Sequence, residues 1–112
     1  MALAVAADPT PLRTDEHGVV RVGDTRVTLS SIVRSYQRGD TPEAIHEGFP
    51  SVPLADVFAT ITYYLRHQEE VDAYLADEDA EAEHIRRQIE ADYPPEFREK
   101  LRKLRDLRDS SR

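Results

Sequence analysis

The sequence predicts a mainly α-helical protein that begins with a β-hairpin. Over residues 17–29 apolar and polar residues alternate, which is typical of half-buried strands. From residue 29 onward apolar residues recur at steps of three and four, the spacing of one face of an α-helix. No proline or glycine occurs between Pro53 and Pro94, so no helix-breaking residue interrupts this long interval. We therefore expect a hairpin, three helices of which the third is long, and a helical C-terminal arm.

The hairpin is predicted around Gly23 and Asp24. Four apolar residues flank this turn at alternating positions: Val20, Val22, Val27 and Leu29. Glycine supplies the positive φ that a two-residue hairpin loop needs. This register places Arg21 opposite Arg26, and opposed like charges are destabilising unless solvent or an anion separates them. The pair therefore either faces solvent or faces a phosphate. Residues 1–13 show no periodicity and are predicted to be a flexible leader.

Two short helices should follow, each with recognisable ends. The first is predicted to stop at Gly39, because glycine readily takes the left-handed conformation of a helix C-terminus. The second is predicted to start with Thr41 as its N-cap and Pro42 in its first turn, where the missing N–H would be unpaired anyway. It should end at Gly48. The residues expected to face the core are Ile32, Val33, Tyr36, Ile45 and Phe49.

The third helix is predicted to begin near Pro53, after a tight turn, as in a helix-turn-helix unit. It is expected either to run to about residue 91 or to break at the acidic cluster of residues 77–83. Its core-facing stripe is expected to consist of Leu54, Val57, Phe58, Ile61, Leu65, Val71 and Leu75. Its exposed face is expected to carry Ala55, Asp56, Ala59, Thr60, Thr62, Tyr63, Arg66 and His67.

The C-terminal segment has more apolar surface than a small domain hides. Prolines in the sequence YPPEF interrupt the helical geometry, so two short amphipathic helices are expected rather than one coiled coil. Their apolar residues recur at steps of three and four: Ile85, Ile89, Tyr93, Phe97, Leu101, Leu104 and Leu107. This stripe either folds back over the core of its own chain or lies in a groove of another protein.

The charge of the chain is unevenly distributed. The net charge is −7; residues 1–67 carry −2, residues 68–95 carry −8 and residues 96–112 carry +3. A negative net charge is unfavourable for nonspecific binding to a polyanion, so contact with DNA requires a local basic patch. The acidic middle segment is either a solvated face or a surface matched to a basic partner.

Several classes of function are disfavoured by what the chain lacks. It contains no cysteine, so it has no disulfide or thiolate metal site. Its four histidines include no i, i+4 pair with a glutamate, the arrangement of a zinc protease helix. No apolar run approaches the roughly 20 residues that span a bilayer. We therefore expect a cytoplasmic protein that is not an enzyme and that uses no metal, cofactor or membrane.

Three stretches of the chain resemble one known family. The sequences VRVGDTRVTLSSIV, GDTPEAI and FPSVPLADVFATITYYLRHQEEVDAYL look like the uncharacterised-domain family 433 (DUF433), and the resemblance covers residues 14–90. Members of this family resemble VapB-type antitoxins. The resemblance therefore implies a homeodomain-like helix-turn-helix fold, binding to operator DNA, and a PIN-like ribonuclease as partner. In one departure from the family pattern, Pro53 replaces the usual capping residue, so Ser51 is expected to cap the third helix.

The combined hypothesis is an antitoxin of a type II toxin–antitoxin pair with three parts. Residues 1–13 form the leader, residues 14–76 bind operator DNA as a homodimer, and residues 77–112 form an arm that neutralises a PIN-like ribonuclease toxin. The predicted DNA-binding residues are Arg21, Arg26, Arg34, Arg38, Thr60, Tyr63 and Arg66. The predicted partner-binding residues are Ile85, Ile89, Tyr93, Phe97, Arg98, Leu101, Arg102, Leu104 and Arg105.

An arginine of this arm would pair with the carboxylates of the acidic metal pocket that a PIN-like nuclease has. Two alternatives stay open. The first is a stand-alone helix-turn-helix transcriptional regulator whose tail is an oligomerisation arm. The second is a structural interaction domain without affinity for DNA.

Overall fold

The computed structural model describes residues 2–110; Met1, Ser111 and Arg112, at the ends of the predicted leader and arm, lie outside the described residues. The chain forms two compact units, Met1–Asp72 and Ala73–Arg112. Over the described residues it is mainly helical, with a two-stranded antiparallel sheet near the N-terminus, as the sequence predicts. The elements are β1 (Leu12–Thr14), β2 (Val20–Val22), α1 (Leu29–Gln37), α2 (Pro42–Gly48), α3 (Leu54–Arg66), α4 (Gln68–Ala91) and α5 (Pro95–Ser110). None of the helices within residues 2–110 combines the length and apolar character that crossing a bilayer requires.

The hairpin lies further upstream than the sequence predicts. β1 and β2 are antiparallel, and the aligned residues are Leu12 with Val22, Arg13 with Arg21, and Thr14 with Val20. A turn does occur at Gly23 and Asp24, but the predicted two-residue loop there does not connect the paired strands. The flexible leader is wrong in its last two residues, because they belong to β1. Beyond Gly23, which has a φ of 58°, the chain returns to β2: the N–H of Val22 bonds to the carbonyl of Val27 at 2.9 Å, and Arg21 forms an isolated bridge with Thr28.

The side chain of Asp15 explains why the chain turns between β1 and β2. Its carboxylate accepts the backbone N–H groups of His17 and Val19 at 2.8 and 3.0 Å, in the manner of an Asx-turn. Gly18 takes a positive φ of 80° in the same loop, and Nε of Arg21 donates to Asp15 at 2.9 Å. The hydrogen bond from Val19, together with those from His17 and Arg21, holds the pKa of Asp15 below its ordinary value.

The ends of α1 and α2 lie where the sequence predicts them. Gly39 has a φ of 100°, and its N–H and the next one bond to carbonyls in the last turn of α1 at 3.0 and 3.1 Å. This pattern is a Schellman motif. The hydroxyl of Thr41 accepts the N–H of Ala44 at 3.2 Å, so Thr41 caps α2. Pro42 opens the helix and Gly48 ends it.

The core of the first unit joins β2 to α1, α2 and α3. Its buried side chains are Val22, Ile32, Ile45, Val52, Val57 and Ile61. Partly buried apolar residues pack around this cluster: Leu12, Val27, Tyr36 and Phe49. Full burial of an aliphatic side chain is worth about 1.5–3 kcal/mol. This cluster is therefore the main stabilising element of the first unit.

α3 buries only part of the predicted stripe: Val57 and Ile61 are buried as predicted, whereas two other members are not. Phe58 and Leu65 are 46% and 51% exposed, so their assignment to the core stripe is wrong. Thr60, by contrast, is fully buried. Its hydroxyl donates to the carbonyl four residues earlier at 2.7 Å. This bond satisfies the polar group and allows a threonine to lie among apolar side chains.

α3 ends at Arg66 with His67 as its C-cap, so both predicted alternatives for its end are wrong. His67 has φ −129° and ψ 39°, and α4 then passes through the acidic cluster to Ala91. A side-chain cluster holds the first turns of α4 against α1 and α3. The hydroxyl of Tyr64 donates to Asp72 at 3.0 Å, and the amide of Gln37 donates to the Tyr64 oxygen at 3.1 Å.

Replacement of Asp15 by asparagine should make the free energy of unfolding less dependent on pH in the acid range. Because the pKa of Asp15 is lowered from 3.8 in the folded state, its contribution to stability is present above that value and is lost as the pH falls through the folded-state pKa. We expect Asp15→Asn to be less stable at neutral pH and to lose less stability on acidification. Urea unfolding at several pH values measures this difference. Asp24→Asn, at an exposed position of the next turn, is the control, and equal behaviour of the two variants would contradict the prediction.

Candidate nucleic-acid and partner surfaces

Arg21, one of the residues predicted to contact DNA, stabilises the hairpin instead. It faces Arg13 across the strands, not Arg26 as predicted. Its Nε donates to Asp15 and its Nη1 to the carbonyl of Arg26, both at 2.9 Å, and its side chain is 29% exposed. Arg13 donates to the carbonyl of Gly23 at 2.6 Å. These acceptors explain how two opposed arginines are tolerated.

Other members of the predicted DNA-binding set are buried or engaged. Thr60 is fully buried, so its assignment to a DNA-contacting surface is wrong. Arg38 is exposed, but its guanidinium donates to Asp40 at 2.8 Å and to Ser35 at 3.3 Å. Arg34 is half-buried on α1. The structure therefore does not gather the predicted arginines into one uncompensated cluster.

Arg26 and Arg66 are two exposed basic residues of this set. Arg26 lies on the turn that follows β2, and Arg66 is the last residue of α3. The turn borders the start of α3, since a β-carbon placed on Gly23 would lie 3.8 Å from the carboxylate of Asp56. Asp56 and Arg66 thus give the two ends of α3 opposite charge.

The leader lies along part of the α3 face that the sequence predicts to contact DNA. A groove of about 300 Å³ separates the two, with residues 8–11 on one side and, on the other, Ala59, Thr62, Tyr63, Arg66 and His67. The rings of Tyr63 and His67 are stacked with centroids 4.3 Å apart. Phenol, imidazole and guanidinium groups are suited to sugar and phosphate contacts. The acidic Asp8 on the opposite wall gives the groove mixed charge.

The remaining outward surface of α3 is largely apolar. Phe58 and Leu65 are exposed. Ala55 and Thr62 are also exposed and lie on the same side of the helix, at steps of three and four residues from them. Arg66 is the sole basic residue in the sequence of α3. Exposed apolar patches are typical of protein contacts rather than of contacts with a phosphate backbone. Any basic patch for DNA in this unit must therefore combine Arg66 with residues outside α3.

The turn between α2 and α3 is held by backbone and histidine contacts. The N–H of Val52 bonds to the carbonyl of Phe49 at 3.0 Å, and Nδ1 of His46 lies 2.7 Å from the carbonyl of Val52. Because a carbonyl only accepts hydrogen bonds, Nδ1 carries the proton. Ser51 does not cap α3, contrary to the prediction: Pro53 occupies the N-cap and no side chain bonds there.

The second unit is a helical hairpin. The prolines of YPPEF separate α4 from α5, which confirms the predicted break. α5 turns back along the end of α4, since Arg105 of α5 forms an ion pair with Glu90 of α4. At the turn, the rings of Tyr93 and Phe97 meet edge to face with centroids 5.0 Å apart.

The apolar stripe of the hairpin stays largely exposed. No side chain within residues 76–109 is buried. Five large apolar side chains are between 47% and 66% exposed: Ile85, Ile89, Phe97, Leu104 and Leu107. Tyr93 and Leu101 are half-buried. These exposures contradict the alternative in which the stripe is buried by its own chain.

Three predicted partner-binding arginines line one groove of the hairpin. Arg98, Arg102 and Arg105 are spaced i, i+4, i+7 and border a space of about 490 Å³ together with Glu90 and Glu99. Glu90 compensates Arg105. Arg98 and Arg102 are exposed, and neither has an ion-pair partner among residues 2–110. Their guanidinium groups are therefore available for carboxylates of another molecule.

Within residues 2–110 no group of three or more histidine, aspartate or glutamate side chains is arranged to hold a metal ion. Three of the four histidines have other contacts, and His17 lies 3.4 Å from Glu16. His46 bonds to the turn before α3, and His67 stacks on Tyr63 and lies 3.8 Å from Glu70.

These surfaces define a small, mainly helical protein whose hairpin-and-helix unit precedes an amphipathic helical hairpin. Residues 16–64 match the model of the family described as "Protein of unknown function (DUF433)". The match covers just under half of the chain and supports the family resemblance seen in the sequence. No curated protein and no solved structure matches the chain.

Two residues that organise hydrogen bonds in the first unit, Asp15 and Tyr64, are absent from the predicted DNA-binding and partner-binding sets. Asp15 organises the hairpin loop, and its position three residues before Gly18 is a local turn signal that identifies it. The contact of Tyr64 with Asp72 crosses a helix break and has no comparable local signal.

Tyr64→Phe should destabilise the first unit by about 1 kcal/mol, the typical net value of one hydrogen bond. The substitution keeps the buried ring but removes the hydroxyl that links Gln37 and Asp72. Chemical unfolding of both variants measures the difference. Tyr63→Phe is the matched control, because the Tyr63 hydroxyl has no hydrogen-bond partner among the described residues. An equal loss in both variants would contradict a specific role of the Tyr64 hydroxyl.

Proposed function

We propose that the protein is a cytoplasmic antitoxin of a type II toxin–antitoxin pair without enzymatic activity of its own. In this proposal the first unit is a homeodomain-like helix-turn-helix module that binds operator DNA as a dimer. The hairpin of the second unit binds and inhibits a PIN-like ribonuclease. The observation that carries the proposal is the exposed apolar stripe of the hairpin, which lies in the same unit as two arginines without ion-pair partners among residues 2–110.

The hairpin has the composition of a protein-binding surface. Half-exposed isoleucine, leucine and phenylalanine side chains gain free energy when a partner covers them, and arginine is among the residues that dominate interface energetics. Arg98 and Arg102 lie on one side of α5, in the groove with Glu90. A nuclease whose metal pocket is rich in carboxylates supplies complementary charge. An arginine in that pocket would displace the metal ion or the phosphate of the RNA.

Support for the DNA-binding role is narrower. α1, α2 and α3 pack around one core, and a short turn held by His46 and Val52 precedes α3. Arg26 and Arg66 are exposed in this unit. A dimer doubles these charges and presents two copies of α3 to two half-sites. The strongly acidic residues 68–95 are repelled by phosphates, which favours an orientation in which this segment points away from DNA.

The partner role is tested with the product of the neighbouring reading frame, which the proposal expects to be a PIN-like ribonuclease, by co-purification and by the RNA-cleaving activity of that product. Arg98→Ala/Arg102→Ala should weaken binding at least about tenfold, because each guanidinium paired with a carboxylate contributes about 1.5–3 kcal/mol. Cleavage should then resume in the presence of the variant. The control is Arg26→Ala/Arg66→Ala, which leaves the hairpin unchanged. Equal inhibition by both variants would show that the hairpin arginines are not part of the inhibitory contact.

The DNA role is tested with the DNA upstream of the gene in a mobility-shift assay at near-physiological salt. Arg26→Ala/Arg66→Ala should reduce the affinity about tenfold and reduce its dependence on salt, because fewer counterions are released from the phosphates. Arg98→Ala/Arg102→Ala serves here as the control and should bind normally. Unchanged affinity of the first variant would remove Arg26 and Arg66 from the contact surface. Absence of any shift with the unsubstituted protein would exclude the operator role.

A further inference from the structure

The leader crosses α3 on a course that the sheet sets. The carbonyl of Pro11 accepts the N–H of Gly23 at 2.6 Å, and the next residue, Leu12, pairs with Val22 in the sheet. Residues 8–11 form one wall of the groove of about 300 Å³ whose other wall is α3. We call residues 8–11 the strap. Its position over α3 follows from the pairing of β1 with β2.

The strap is stiff but weakly held. Pro9 and Pro11 fix their own φ angles, and each biases the residue before it toward an extended backbone. The strap therefore keeps an extended course without a hydrogen-bonded ladder. Residues 2–10 are exposed, and none of them forms a hydrogen bond or ion pair with another residue of the described range 2–110. The leader can thus leave α3 without breaking a hydrogen bond, by turning about its attachment at Pro11.

Opposite charges face the groove from its two walls. Asp8 belongs to the strap and Arg66 to α3, and neither has an ion-pair partner within residues 2–110. The stacked rings of Tyr63 and His67 also line the α3 wall. Attraction between exposed charges is weak, so it favours the strap over α3 without locking it there.

The strap occupies space that DNA needs. A helix with its side chains is about 10–12 Å across, and the major groove of B-DNA is about 12 Å wide, so a recognition helix fills it. The major groove has no room for an extended segment beside that helix. Ala59, Thr62 and Tyr63 share their groove with the strap. They can contact DNA from within a major groove only after the strap has moved.

We propose that the strap is an autoinhibitory gate over α3, which covers the helix in the free protein and is displaced when DNA binds. This inference rests on the DNA-binding role in the proposed function and adds a regulation to it. The carboxylate of Asp8 competes with a phosphate for the guanidinium of Arg66, because both are anions. The leader is not a DNA-contacting arm, since residues 2–10 contain no lysine or arginine.

Deletion of residues 2–10 should raise the affinity for the DNA upstream of the gene by about threefold to tenfold, measured by mobility shift. The physical reason is that the apparent affinity is lowered by the fraction of molecules whose α3 is covered. The deletion keeps Pro11 and both strands, and circular dichroism checks that the fold is retained. Deletion of residues 2–7 is the matched control, because it leaves the strap in place and removes no charge. Its affinity should equal that of the full-length protein.

A substitution in the full-length chain tests the charge of the strap. Asp8→Asn should raise the affinity for DNA by about twofold, the effect of one exposed charge. Glu16→Gln is the control, because it also removes one negative charge but lies at an exposed position outside the groove. An equal gain in both variants would reduce the effect to net charge and count against the gate.

NMR spectra recorded without DNA test whether the strap covers α3. The signals of Thr62, Tyr63 and His67 should shift on deletion of residues 2–10 and stay in place on deletion of residues 2–7. Unshifted signals in the longer deletion would overturn the proposal.

The DNA measurements separate this inference from the proposed function. Equal or weaker DNA binding after deletion of residues 2–10 would overturn the gate and leave the operator role intact. Absence of DNA binding by both the full-length and the truncated protein would overturn the operator role and the gate together.

Discussion

The structure depends on an uneven distribution of buried apolar side chains. The cluster of Val22, Ile32, Ile45, Val52, Val57 and Ile61 closes the first unit around α1, α2 and α3. Beyond Leu75, no side chain up to residue 109 is buried. Since burial of apolar area is the dominant favourable term in folding, the two units have different sources of order. The first has a core, whereas the second relies on helix formation and on contacts between its helices such as the ion pair of Arg105 with Glu90.

Polar contacts determine how the chain enters and leaves that core. The carboxylate of Asp15 accepts hydrogen bonds from two backbone N–H groups and from the guanidinium of Arg21. These bonds close the loop between β1 and β2. At the other end, Tyr64, Asp72 and Gln37 hold the first turns of α4 after the break at His67. The first cluster is local in sequence, whereas the second joins Gln37 to Tyr64, 27 residues later. These contacts fix the path of the backbone. Their net contribution to the free energy of folding is small, because each hydrogen bond replaces one made to water.

Charge separation along the chain links the structure to the proposed function. The acidic residues 68–95 and the basic residues after them both belong largely to the second unit, so the hairpin presents both signs of charge beside an apolar face. Such a surface favours a protein partner over a nucleic acid, because a phosphate backbone is uniformly negative. The first unit has few uncompensated cations, since Arg21 and Arg38 are engaged with Asp15 and Asp40. DNA binding by this unit would therefore depend on dimerisation more than the protein contact of the hairpin does.

Local signals in the sequence determined the helix ends at Gly39, Thr41 and Gly48 and the break at the YPPEF prolines, because caps and breakers act within a few residues. Periodicity also identified the exposed stripe of the C-terminal helices. Tertiary structure alone decided the partner of β2, the rotation of α3 that buries Thr60 and exposes Phe58, and the break at His67. In these cases several pairings satisfy the same periodic pattern. The choice among them depends on contacts between distant residues, such as Tyr64 with Asp72, and such contacts leave no signal in the local sequence.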